Sequence, residues 1–226
     1  MMAPRHGPRP VRRLVTAVVA CAALALGPAG CGRGLVNRVT GSPSPSPTFL
    51  DEQAVCEVTS TDALREAVSF QTVDYEYWHD SYPKKPDQNS FQCRIRGRDA
   101  SANLSPTAFY ISYEPGGYLD AIGGIRPFTD LDGEGHDPLV LDGVEGRGYM
   151  WLDSPNVDGV ITSVDAAWLY PDNHALEIQL FLDGTTDYAY DQDDIAAMTD
   201  LLHALIPAIP PVAARTDQSR TWVPFP

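Results

Sequence analysis

Two back-to-back stretches of alternating side chains constrain this chain more than any other feature. Val160, Thr162, Val164, Ala166 and Trp168 share one face of an extended segment, and Leu176, Ile178, Leu180 and Leu182 take every second position of residues 175–182. A period of two fits a strand buried on one side, not a helix. Pro171-Asp172-Asn173-His174 lies between them, and Pro, Asp and Asn each favour turns. The pair predicts an antiparallel hairpin with one apolar face, which other elements must cover.

The rest of the chain supplies partners for it. In Gln92–Arg98, Cys93 and Ile95 point one way and the arginines the other. Phe109, Ile111 and Tyr113 line one face of a further strand, and residues 139–152 alternate weakly around Gly143, Gly146 and Gly148. Residues 116–123 read as a short helix or turn, and 71–90, polar with two prolines, as a long loop. Helices are predicted over 51–58, over 62–69 behind a Ser60-Thr61-Asp62 cap, and over 191–206. In the last, Asp191 caps and Asp193 and Asp194 meet the positive helix end. Ile195, Met198, Leu202 and Leu205 repeat at helical spacing, and Pro207 is expected to stop it. The fold class is α+β: an antiparallel sheet with an N-terminal and a C-terminal helix packed on one face. No βαβ alternation or internal repeat is present.

The N-terminus reads as a targeting segment. Residues 1–13 carry Arg5, Arg9, Arg12 and Arg13 and no acid; residues 14–26 are an apolar run of 13; small residues 27–30 precede Cys31. A basic start, a short apolar core and a small-residue exit make an export signal. The run falls short of the roughly 20 residues that span a bilayer. Residues 1–30 are thus a signal peptide, and 31–48 a tether ending in Gly-Ser-Pro-Ser-Pro-Ser-Pro-Thr, which favours extended chain. Residues 49–206 form the domain, and 207–226 a Pro-rich tail.

In an exported chain, two thiols in one domain are expected to pair, so Cys56 and Cys93 form a disulfide that pins the N-terminal helix to the sheet. The whole chain has 16 basic and 30 acidic residues; removing 1–30 leaves 12 against the same 30. That acidity excludes the basic footprint of a nucleic-acid binder and keeps an exported protein soluble.

Cys31 after Ala29-Gly30 resembles the lipobox of bacterial lipoproteins, although Pro28 stands where that pattern carries a branched apolar residue. Val18-Val19-Ala20-Cys21 is a second match, but with a shorter apolar run before it. The wider pattern is similar to a family of small actinobacterial surface lipoproteins of unknown function. The matching motifs are Ala54-Val55-Cys56, Ser90-Phe91-Gln92-Cys93-Arg94, Gly143-Val144-Glu145-Gly146-Arg147-Gly148-Tyr149, and a late strand and closing helix. The resemblance implies acyl chains such as palmitate on Cys31, a membrane anchor at the extracytoplasmic face of the cell envelope, and an α+β domain. It supplies no catalytic residues.

Chemistry-bearing constellations are sparse. Asp130-Leu131-Asp132-Gly133-Glu134 opens like a calcium loop, but its twelfth position is Leu141 where such loops carry Glu. His79, His136, His174 and His203 have no Gly-x-Ser-x-Gly nucleophile elbow among the serines, so no catalytic set, metal or cofactor is expected. Tyr75, Tyr77, Trp78 and Tyr82 cluster in 71–90, and amphipathic aromatics on a loop mark a recognition surface. The expectation is an extracytoplasmic domain that binds an envelope protein or a small-molecule ligand through those aromatics. An exported hydrolase and an envelope spacer are the alternatives.

Overall fold

The computed structural model describes residues 48–121, 124–153, 160–182, 188–216 and 221–223. The signal segment, Cys31 and the tether up to residue 47 lie outside the described residues. In chain order the elements are β1 (Ala54–Val55), β2 (Thr59–Ser60), α1 (Thr61–Val68), β3 (Phe70–Asp80), β4 (Ser90–Asp99), β5 (Ser105–Glu114), β6 (Tyr118–Ala121), β7 (Gly124–Pro127), β8 (Asp137–Leu139), β9 (Arg147–Leu152), β10 (Ser163–Leu169), β11 (Ala175–Leu182), α2 (Gln192–Ala213) and β12 (Thr221–Val223). The main sheet runs β12-β3-β4-β5-β11-β10-β9-β8, with antiparallel neighbours throughout. Two small hairpins, β1–β2 and β6–β7, stand apart from it.

The hairpin that dominates the sequence is present. Its turn closes by Asn173 N–H donating to Tyr170 O at 3.0 Å, with Asn173 in the left-handed region at φ 66°. Register carries the apolar alternation across the sheet: Cys93, Ile111, Ile178, Ala166 and Met150 line up on one face, with Ile95, Phe109, Leu180 and Val164 beside them. Leu64 of α1 and Met198, Leu202 and Ile209 of α2 bury against this face. Each such side chain contributes roughly 1.5–3 kcal/mol by leaving water. The glycines that weaken the alternation near 143–148 have a reason: a Cβ on Gly146 or Gly148 would run into Trp168.

Cys56 and Cys93 form the disulfide, with Cα atoms 6.1 Å apart. Closing a loop of 37 residues is worth about 3–4 kcal/mol in the chain-entropy account. What it pins is not a helix. Residues 51–58 hold β1 and a turn in which Glu52, Cys56 and Glu57 all have positive φ, near 50–60°, which breaks any helix. The next helix is as predicted: Ser60 accepts from Ala63 N–H at 3.1 Å, and Ser69 at φ 54° ends it.

Three other expectations change. The loop over 71–90 is mostly β3, whose polar residues lie on one face and whose Tyr75, Tyr77 and His79 lie on the other; a register shift between Thr72 and Asp74 hides the period. Of the segment expected as a short helix or turn, the turn is present at Pro115–Gly117, with Gly116 at φ 75°, and Tyr118–Ala121 continue as the strand β6. The closing helix runs through Pro207, Pro210 and Pro211 to Ala213, and β12 of the expected tail pairs with β3. Burial of Ile206, Ile209, Val212 and Ala213 continues the apolar stripe and outweighs the lost N–H donors. One of those losses is repaired: Pro210 cannot donate to Ile206 O, and the Tyr170 hydroxyl donates there instead, at 2.7 Å. By length and composition α2 could cross a membrane; here that apolarity serves the core.

Candidate functional site

The opposite sheet face is polar. Trp151, Asp165, Gln179, Tyr110, Arg94 and Glu76 form one registered row across β9, β10, β11, β5, β4 and β3. Alternation puts them there, since each sits between two residues of the helix-covered face. Part of this face is roofed. Leu119 of β6, together with Phe128 and Leu131 from the turn Phe128–Gly133, packs on Ala167 and Ala175. Beside that roof a hollow of about 590 Å³ opens, lined by Ile125, Arg126, Trp151, Asp153, Ser163, Asp165, Glu177, Gln179 and Phe181.

Its floor carries two carboxyls in an unusual state. Asp165 is 3% exposed and Glu177 2%. The Ser163 hydroxyl donates to Asp165 Oδ2 at 2.6 Å. Asp165 Oδ1, Glu177 Oε2 and the neighbouring Gln179 Oε1 are buried with no hydrogen-bond partner. Burial pushes the Asp165 carboxyl up to about 6, against the pull of Ser163 and Gln179. Burial likewise pushes Glu177 up to about 7; Arg126 opposes this, and Asp165 and Asp120 add to it. Burial penalises the charged form, and an unpaired buried acceptor costs about 1–3 kcal/mol.

The wall and rim are held in place. The Trp151 ring stacks on His136 with centroids 4.3 Å apart, and the Arg126 guanidinium lies 6.0 Å above it. Arg126 is paired with Glu134 at 3.0 Å, and His136 Nε2 bonds the same carboxylate at 2.8 Å. A neighbouring hollow of about 790 Å³ shares Phe181 and is lined by Asp74, Glu76, Arg94, Arg96 and Arg98. Most of its charged groups are engaged within the fold. Arg96 grips Asp74 through two bonds of 2.7 and 2.8 Å, and Arg94 lies over Tyr110 at 5.3 Å and Trp78 at 5.8 Å. Arg98 donates to Leu104 O.

The aromatic recognition loop does not form. Tyr75 and Tyr77, 8% and 3% exposed, are buried on the helix-covered face, where their hydroxyls bond Ala54 O and the Glu57 carboxylate. Trp78 lies on the opposite face under Arg94, and only Tyr82, at 46%, is exposed. The segment is a strand, and strand alternation sends neighbours to opposite sides. In the calcium-like stretch, Asp132 is bonded by Arg147 and Tyr149, and Glu134 by Arg126 and His136. Among the described residues, no group of three or more His, Cys, Asp or Glu is placed to hold a metal ion. His79 and His174 are buried; His174 stacks on Tyr113 and bonds Asn89 O. His203 bonds Asp142 O.

Asp165 and Glu177 were not singled out by the sequence. Each reads as the polar, solvent-facing position of an alternating strand. Only the β6–β7 hairpin and its following turn, folding over that face, take them out of water. Searches against family models, curated protein sequences and solved structures found no match to this chain.

Proposed function

We propose that this chain is an exported, lipid-anchored protein whose domain binds a small ligand in the hollow over Asp165, Glu177 and Gln179. In this reading residues 1–30 direct export, acyl chains on Cys31 hold the protein at the extracytoplasmic face of the cell membrane, and the Ser/Pro tether sets the domain off from it. Two or more acyl chains are needed for firm anchoring. The observation that carries the ligand reading is the trio of buried, partnerless acceptors at the floor of one cavity. A spacer has no use for such a hollow, and a folded domain retains unsatisfied groups where a function needs them.

Native mass spectrometry of the full-length protein, extracted from host membranes in mild detergent, tests both parts. The expected result is a chain carrying acyl mass and a retained small molecule that is lost in Asp165→Asn. Cys31→Ser should lack the acyl mass and appear in the medium. A wild-type chain without acyl mass would overturn the anchor. A chain that retains nothing, and gains no thermal stability from host metabolite extract, would overturn the ligand site.

A hydrolase is the second reading, favoured by one observation: two carboxyls with pKa values near 6 and 7 facing one hollow can act as an acid–base pair. It predicts turnover that Glu177→Gln abolishes, whereas a binding site returns its ligand intact.

A further inference from the structure

The floor of the hollow has donors in Ser163 and Gln179, both spent on Asp165, and acceptors beyond their reach. Asp165 Oδ1, Glu177 Oε2 and Gln179 Oε1 all await an N–H or O–H. Three carboxyls bear on the space: Asp165 from β10, Glu177 from β11 and Asp120 from β6. Among the described residues, the cation that opposes them is Arg126 of β7, and it is already committed to Glu134. From β5, Tyr110 lies next to Gln179 and donates to Asp120 O, and Glu114 adds charge beside Asp120. Arg94 of β4 sits one strand further, over Tyr110. The excess is negative, in a place where water screens poorly. Trp151 supplies an aromatic wall, which attracts cations.

We propose that the hollow, if it is the ligand site argued above, binds a small organic cation whose charge sits on N–H donors, an ammonium or a guanidinium. The cation lies between the Asp165 and Glu177 carboxylates against the Trp151 ring. A neutral polyol would leave the charge excess unanswered. A quaternary ammonium would answer the charge but bring no N–H to the three acceptors. Pairing is strongest where both the charge and the hydrogen bonds are matched. Since both carboxyls are partly protonated near neutral pH, binding the cation displaces a proton to solvent, and affinity rises with pH.

Titration calorimetry on the detergent-extracted full-length protein reads this directly. The probes are primary ammonium and guanidinium compounds of two to five carbons, each paired with its isosteric alcohol, plus tetramethylammonium and calcium chloride. At least one N–H cation should bind tenfold or more tighter than its alcohol and than tetramethylammonium. Its affinity should rise at least about tenfold from pH 5.5 to 7.5. Heats measured in two buffers of different ionisation enthalpy should report proton release. Asp165→Asn with Glu177→Gln should abolish binding. Arg126→Gln should tighten it severalfold, a gain that a damaged fold would not produce. The cation assignment is overturned if alcohols or calcium bind as well as the ammonium compounds, or if Arg126→Gln weakens binding. If native mass spectrometry shows a retained neutral or anionic molecule, the cation fails and the ligand site stands. If nothing is retained and no probe binds, both fail.

Discussion

The two faces of the main sheet are built from the same strands and differ in how their unpartnered polar atoms are grouped. On the helix-covered face, Cys93, Ile111 and Ile178 lie under α1 and α2; the Tyr75, Tyr77 and Tyr170 hydroxyls find partners, and Thr72 Oγ1 and His79 Nδ1, apart from each other, are left without one. On the other face Asp165 and Glu177 are just as buried and keep acceptors without partners. One face is spent on stability. The other carries a stability cost, which is what a binding site preformed for an absent donor would show.

The largest effect expected is on the first face. Phe109 is fully buried in the core and meets Phe70 edge-on, with centroids 6.4 Å apart. Phe109→Ala should cost about 3–5 kcal/mol in urea unfolding. Ala108, the preceding residue of β5, faces the other way, and enlarging it to Val should cost less than about 1.5 kcal/mol. Equal losses at both positions would mean the faces are not energetically distinct.

The second prediction concerns pH. The unfolded chain releases the Glu177 proton near 4.5, whereas the folded chain holds it until about 7. The native state therefore binds more protons across that window, and this group's contribution is greatest below about 4.5 and falls as pH rises to 7. The loss is at most about 3 kcal/mol. Glu177→Gln should match the wild type at pH 4 and exceed it at pH 8.5 by up to that amount. A difference independent of pH would break the contrast between the faces.

How much of this the sequence revealed follows the same division. The β10–β11 hairpin, the inward Cys93 and Ile95, the capped α1 and the disulfide are local or alternating features, and periodicity carries them. The β3 strand was hidden because its outward residues, Asp74, Glu76 and Asp80, are those of a loop, and a register shift interrupts its period. The length of α2 was hidden because Pro207 is a helix breaker unless tertiary contacts supply what it removes. The site was hidden most deeply. Glu177 between Leu176 and Ile178 looks like any solvated strand residue, and its burial depends on Leu119, Phe128 and Leu131, some 45–60 positions earlier in the chain. Nothing in the strand itself encodes that roof.

The smallest effect isolates how the helix-covered face repairs its own losses. Pro210 leaves Ile206 O without its helical donor, and the Tyr170 hydroxyl fills the gap at 2.7 Å. Tyr170→Phe keeps the ring, which packs edge-on against Tyr113 at 5.3 Å, and removes only the donor. A buried carbonyl left unpaired should then cost about 1–3 kcal/mol. In a Pro210→Ala background the helix recovers its own N–H donor to Ile206 O, and the same Tyr170→Phe change should cost on the order of 1 kcal/mol less. Urea melts of the four variants, with unchanged slopes, give this coupling. If Tyr170→Phe costs the same with and without Pro210, the hydroxyl does not stand in for the missing backbone donor. The helix-covered face would then hold a further orphan besides Thr72 Oγ1 and His79 Nδ1, and only the gathering of three such acceptors in one hollow would mark a binding site.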